Sequence, residues 1–168
     1  MRLFAAIQPS PSFRDALAEL QGRLRAAGVA GRYREPESLH LTLAFIGEWP
    51  DDVTEILPAV RRPFPLTLSH PGVFPRANVL WGGVEPSEEL DELAEKVRNS
   101  LAGKRIPFDG KPFCPHITLA RKPAVPEDVL LPEIAVPQAA MTVRDVCLYR
   151  SDRGANGMEY TVIGRSGG

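Results

Sequence analysis

The apolar run Leu3-Phe4-Ala5-Ala6-Ile7, within Arg2 to Gln8, predicts a short buried strand, broken off by Pro9-Ser10-Pro11-Ser12. Ser12 is expected to cap the helix that follows, with Asp15 in its first turn. Phe13, Leu17, Leu20 and Leu24 recur at offsets of 4, 7 and 11, one helical face, and Ala27-Gly28 and Gly31 end it. After a short connection, Leu39 to Gly47 alternates apolar with other residues and reads as a strand. The same order then returns. Asn78 to Val84 is a strand candidate, and Pro86-Ser87 opens a helix with Leu90, Leu93, Val97 and Leu101 on one stripe. Gly103 closes that helix, and Pro115 to Arg121 alternates again. Pro9 lies 31 residues before His40, and Pro86 lies 30 before His116. An internal repeat at the level of a strand, a helix and a second strand is the main organising signal.

Other elements fill in around the repeat. Asp51-Asp52 is expected to cap a short helix carrying Val53, Ile56, Leu57 and Val60, weakened by Pro58. Pro65 to Ser69 and Met141 to Tyr149 read as strands, and Ser151 to Gly157 as a turn returning into a hairpin arm from Met158 to Ile163. The fold class is α+β: bilobal, with duplicated antiparallel sheets related by a pseudo-twofold axis, helices outside and a central cleft. We expect one bilobal domain over residues 1–168, with repeat units at about 2–47 and 78–121.

Composition narrows the function. A hydrophobic content of 43% with 24% charged residues suits a folded domain, and a net charge of −1 excludes a strongly basic nucleic-acid coat. Two cysteines, Cys114 and Cys147, are too few for a disulfide scaffold and lack metal-ligand spacing, so both are expected to stay reduced in a cytoplasm. The first apolar run is too short for a secretory or membrane segment, which predicts a soluble intracellular protein. No cofactor and no metal are implied, no obligate protein partner is suggested, and monomer is the default.

The repeat matters chemically because each copy carries a His-apolar-Thr sequence, His40-Leu41-Thr42 and His116-Ile117-Thr118. Side chains alternate along a strand, so the His and Thr of each copy share one face while Leu41, Leu43, Ile117 and Leu119 take the other. Pseudo-symmetry would oppose the two polar pairs across a groove. Opening a cyclic phosphodiester needs a base to take a proton from water and an acid to protonate the leaving ribose oxygen. Imidazole, with a pKa of about 6.5, does either near neutrality. The threonine hydroxyls would stabilise the phosphate's non-bridging oxygens. One such strand is weak evidence of catalysis, but two copies use two of only three histidines at matching points of a repeat.

With these residues the chain resembles the two-histidine phosphoesterase superfamily, and within it the LigT-like RNA 2′,3′-cyclic phosphodiesterases of the 2′-5′ RNA ligase family. The resemblance is carried by Arg2 to Ile7, Leu39 to Glu48, Val79-Leu80-Trp81 and Pro112 to Arg121, with Arg32 to Ser38 as the approach to the first motif. It implies hydrolysis of RNA-terminal 2′,3′-cyclic phosphates to 2′-phosphomonoesters without a metal, on RNA ends or nucleoside cyclic phosphates. It also implies possible reverse 2′-5′ ligation. On that pattern His40 is the acid and His116 the base, with either direction open by symmetry. Thr42, Thr118 and Arg121 bind phosphate, and Phe45 stands beside the site. Periodicity alone instead places Phe45 on the leucine face, unless a bulge intervenes.

Arg32 and Arg34 are candidates for a basic rim, Tyr33 or Phe113 for base stacking, and Arg76 for substrate contact, each with a surface or core role competing. His70 reads as part of a Ser-His-Pro turn, and Cys114 as a packed, inert thiol. Two other functions compete: a phosphodiesterase for small cyclic nucleotides or 2′-5′ oligonucleotides, and a non-catalytic RNA- or nucleotide-binding module.

Overall fold

In the computed structural model, which describes residues 1–167, strand β1 (Arg2–Ile7) buries every residue after Arg2. It is hydrogen-bonded on both sides, to β3 (Leu41–Glu48) and β8 (Cys147–Gly154). Helix α1 (Pro11–Ala26) starts earlier than the predicted cap. Ser10, not Ser12, is the cap, its Oγ accepting from the Phe13 N–H at 3.3 Å. Pro11 favours this start, because proline lacks the N–H that a first helical position would leave unpaired. Helix α2 (Glu88–Gly103) begins after Ser87 as expected, capped through the Leu90 N–H.

The remaining strands are β2 (Ala30–Tyr33), β4 (Phe64–Phe74), β5 (Val79–Val84), β6 (Ile117–Ala124), β7 (Ala140–Val143) and β9 (Gly157–Arg165). They form one antiparallel sheet in the order β7-β4-β5-β6-β3-β1-β8-β9, with β2 also on β6. The strands β3 and β6 meet through one residue pair, Leu41 with Ile117. The order is mirrored about that point: β3-β1-β8-β9 on one side and β6-β5-β4-β7 on the other. The α+β class and the antiparallel pseudo-twofold arrangement are those expected.

The helices cross between the halves. α1 follows β1, yet packs against β5 and β6. A Cβ on Gly82 would stand 3.7 Å from the δ-methyls of Leu17 and Leu20, and Gln21 Nε2 donates to the Leu119 carbonyl at 3.0 Å. α2 follows β5, yet Arg98 Nε donates to the Leu43 carbonyl of β3 at 3.2 Å. The exchange merges the two apolar stripes into one core that runs from Leu17 and Leu20 through Leu43 and Leu119 to Leu90 and Val97. Burying both helix faces in one core is favourable in proportion to the apolar area removed from water.

Several local expectations change. Residues 54–56 make one 3-10 turn rather than a helix reaching Val60; its cap position is Val53, with no side-chain cap bond, and the expected cap Asp52 instead accepts from the Thr54 N–H at 2.8 Å from one residue further upstream. The strand expected over Pro65 to Ser69 runs on to Phe74, so His70 lies in β4 rather than in a turn, at a register irregularity between Leu68 and Pro71. Met141 to Tyr149 divides into β7 and β8 at residues 144–146. The predicted turn at Ser151 to Gly157 shrinks to Ala155-Asn156, flanked by the pair Gly154 and Gly157. Within the expected short connection after α1, Ala30–Tyr33 forms β2, a mostly exposed strand whose residues show no apolar alternation. No helix among the described residues is long and apolar enough to cross a membrane.

Candidate active site

The strands β3 and β6 each begin one residue after a histidine. In both places the ring folds back on its own chain: His40 Nδ1 lies 2.8 Å from the Ser38 carbonyl, and His116 Nδ1 lies 2.7 Å from the Cys114 carbonyl. A carbonyl only accepts, so Nδ1 carries the hydrogen in each ring and Nε2 is left free for chemistry. The two motifs thus supply two imidazoles of the same tautomer and the same anchoring.

Immediately beyond each histidine the alternation breaks. On β3, Thr42 pairs with Ala6 but Ala44 pairs with Ala5, which leaves Leu43 as an extra residue. On β6, Thr118 pairs with Trp81 but Ala120 pairs with Leu80, which leaves Leu119 extra. Each extra residue makes a β-bulge, and the next positions swap faces. Leu43 and Ala44 are therefore both buried, as are Leu119 and Ala120. Phe45 and Arg121, which strict alternation would send to the leucine face, are turned to the face of Thr42 and Thr118. For Phe45 this corrects the expectation from periodicity.

The side chains so placed share a cavity of about 310 Å³. His40, Thr42, Thr118 and Arg121 line it, together with Phe45. So do Arg2, Phe4, Arg34, Ser151, Met158 and Tyr160. His116 is not part of that lining, but a charge on it lowers the proton affinity of His40, so the rings are within electrostatic reach. A wider hollow of about 480 Å³ lies beside Thr67, His70, Glu85 and Gln138 in the other half and contains no motif residue. Chemistry favours the smaller cavity. Among the described residues, no three His, Cys, Asp or Glu side chains are grouped to hold a metal ion.

The surroundings of the histidines differ. His40 packs against Phe4 at 4.5 Å and Tyr149 at 5.4 Å between ring centroids, with Tyr160 edge-on at 5.2 Å. Burial, assisted by the positive charges of Arg34 and His116, lowers its pKa to about 4, against the partial help of the Ser38 carbonyl to the charged form. Burial likewise pushes the Tyr149 hydroxyl well up. His116 has one aromatic neighbour, Phe74, edge-on at 4.9 Å. Phe74 leans on Trp81, whose ring lies so close to Gly72 that a Cβ there would meet it at 2.2 Å.

Arg34 comes into the cavity, but Arg32 is exposed on β2 opposite Arg121. Tyr33 turns away, donating to the Val29 carbonyl under the Arg25 guanidinium, and Phe113 packs on the core near Arg98. Arg76 is an exposed turn residue. Cys114 is exposed rather than packed, and its carbonyl, not its thiol, serves His116. Phe4, Tyr160, Met158, Ser151 and Arg2 join the cavity without being marked by either motif. Alternation on β1 sets Phe4 and Ala6 opposite Leu3, Ala5 and Ile7, a signal that could have found Phe4.

The chain is similar to known proteins over nearly its whole length. The chain is 31% identical to an RNA 2′,3′-cyclic phosphodiesterase of Thermotoga maritima, over 97% of this chain and 93% of that one. It is 32% identical to the protein of the same name from Escherichia coli K12, over 98% and 94%. The solved structure of E. coli LigT in apo form superposes with a TM-score of 0.78 at 28% identity, covering 98% of this chain and 95% of that one. LigT complexed with 3′-AMP gives 0.78 at 29%, with the same coverage. Residues 9–155, which hold both histidine motifs and both helices, match the family as a whole, and so the chain belongs to the 2′-5′ RNA ligase superfamily.

Proposed function

We propose that this protein hydrolyses 2′,3′-cyclic phosphates at RNA ends to 2′-phosphomonoesters, with His40 and His116 as its acid and base. The observation that carries the mechanism is the pair of rings anchored through Nδ1, each with Nε2 free, at equivalent points of two strands. The relatives named for this activity at about 30% identity over nearly the whole chain support the reaction class.

In the reaction, water attacks phosphorus as His116 Nε2 takes its proton. The bond from phosphorus to O3′ breaks as His40 Nε2 donates a proton to that oxygen. The products are a 3′-hydroxyl and a 2′-phosphomonoester. Thr42, Thr118 and Arg121 line or adjoin the space where the non-bridging oxygens would sit, and they stabilise the added charge. In the empty cleft burial keeps His40 neutral near pH 7. A phosphate anion beside the ring offsets that penalty, so His40 takes up from solvent, as the substrate binds, the proton that it then donates. The units 2–47 and 78–121 each contribute one histidine and one threonine.

The test is incubation in excess EDTA with a short RNA ending in a 2′,3′-cyclic phosphate, resolving 2′- from 3′-monophosphate. Formation of the 2′-product by wild type, and not by folded His40→Ala or His116→Ala, is the expected result; wild-type turnover by either variant would sink the mechanism. A cyclic phosphate with sulfur in place of O3′ separates the roles, because a thiolate leaves without protonation. Rescue of His40→Ala alone fits the assignment, and rescue of His116→Ala alone reverses it.

A further inference from the structure

Outside the two motifs, one cation in the cavity is held more firmly than any surface role requires. Arg34 follows β2, and its backbone is fixed at both polar atoms. Its N–H donates to the Leu119 carbonyl at 2.9 Å, and its own carbonyl accepts from Gln21 Nε2 at 3.0 Å. Gln21 is only 2% exposed and spends its other N–H on the Leu119 carbonyl, so it ties α1, Arg34 and the bulge after Thr118 together. The equivalent side chain of α2, Arg98, bonds the Leu43 and Lys111 carbonyls, which marks this as the regular scaffold of each half.

What differs is the side chain presented there. The Arg34 guanidinium reaches across the cleft from the β2–β6 side to β9, where Nη1 donates to the Tyr160 hydroxyl at 2.9 Å. Tyr160 in turn packs edge-on against His40. Arg34 forms no ion pair with a carboxylate among the described residues, and no Asp or Glu lines the cavity. The charged side chain that bears on it is of its own sign, Arg121, and its charge also bears on His40. A largely enclosed guanidinium without a counter-ion is unfavourable in the empty protein, and an anion would complete it.

We propose that Arg34 is a catalytic residue that binds a non-bridging oxygen of the substrate's phosphate, and that Tyr160 is the positioning residue that holds its guanidinium in the cleft. This deepens the phosphodiesterase reading and rests on it for the substrate. A guanidinium offers paired donors in a plane and suits a phosphate better than an ammonium would. With Arg121 lining the same cavity, two cations would share the charge that builds up as water adds to phosphorus. Placed next to both His40 and Arg121, Arg34 serves the reacting phosphate rather than a more distant one.

The test measures kcat, KM and inhibition by inorganic phosphate for wild type, Arg34→Gln, Arg34→Lys and Tyr160→Phe, with thermal melts of each. Arg34→Gln should lose on the order of 10²-fold in kcat/KM, as removal of one charge-stabilising donor does, and phosphate should inhibit it far less. Tyr160→Phe keeps the ring but removes the acceptor, and should weaken phosphate inhibition in the same direction by a smaller factor. Arg34→Lys should keep part of the phosphate binding. Wild-type kcat/KM and phosphate inhibition in Arg34→Gln would overturn the proposal, as would a lowered melting temperature with phosphate inhibition unchanged. If Arg34→Gln does not fold, unchanged phosphate inhibition in both Arg34→Lys and Tyr160→Phe overturns it equally. Should wild type turn over no cyclic phosphate, calorimetric binding of inorganic phosphate still decides: binding lost in folded Arg34→Gln keeps this site while the phosphodiesterase reading fails, and equal binding ends the proposal.

Discussion

The two halves place their histidines identically along the backbone and treat them differently once placed. Both rings bond a carbonyl two residues upstream, both precede a strand, and both strands bulge at the third residue after the histidine. Yet His40 sits among Phe4, Tyr149 and Tyr160 beside Arg34, whereas His116 has Phe74 as its one aromatic partner among the described residues. After the bulges, equivalent positions hold an aromatic ring on one side, Phe45, and a cation on the other, Arg121. A repeat reproduces backbone geometry, because the same pattern of apolar and polar residues recurs. It leaves each strand free to vary the side chains on the open face, and that is where the halves differ.

The sharpest way to break the comparison is to remove each histidine in turn. His40→Ala and His116→Ala should each lower kcat by about 10²–10⁴-fold, with the double variant little worse than either, since the two transfers belong to one step. A much smaller loss at one position would show that the halves are not partners in the chemistry.

Titration should separate them next. His40 has its pKa lowered from 6.5 to about 4, so the unfolded chain binds more protons than the folded one between those values. Stability should therefore fall as pH drops through that window and level off below it, by at most about 3 kcal/mol from this group. Denaturant unfolding of wild type and His40→Gln from pH 7 to 4 reads the effect. The slope should flatten in His40→Gln, and an unchanged slope would contradict the enclosed environment.

On the other side, His116 depends on a wall built from Phe74 and Trp81 over Gly72. Gly72→Ala would press a Cβ into the Trp81 ring and should cost about 1–3 kcal/mol of unfolding free energy. It should also lower kcat while leaving the pH dependence due to His40 in place. Smallest, Thr42→Val and Thr118→Val should each reduce kcat/KM by about tenfold, as loss of one hydrogen bond to a charged group does. Unequal losses would extend the asymmetry of the histidines to their threonine partners.

The pattern of apolar positions determined much of this. Period 3.6 in Phe13 to Leu24 and Leu90 to Leu101 located both helices, and period 2 around His40 and His116 located both motif strands with the correct faces as far as the threonines. The repeat itself paired the two histidines. These are local properties, because the backbone's period determines which side chains share a face within a few residues. What lay beyond local reach was decided by the assembled fold. The bulges that turn Phe45 and Arg121 into the cleft arise from pairing between strands, and no run of residues announces them. The crossing of the helices, the enclosure of His40 and the placing of Arg34 against Tyr160, 126 residues away, depend on which elements meet in space. Burial and charge are sums over neighbours from the whole chain, so two copies of one motif could be recognised from sequence, while the difference between them could form only in three dimensions.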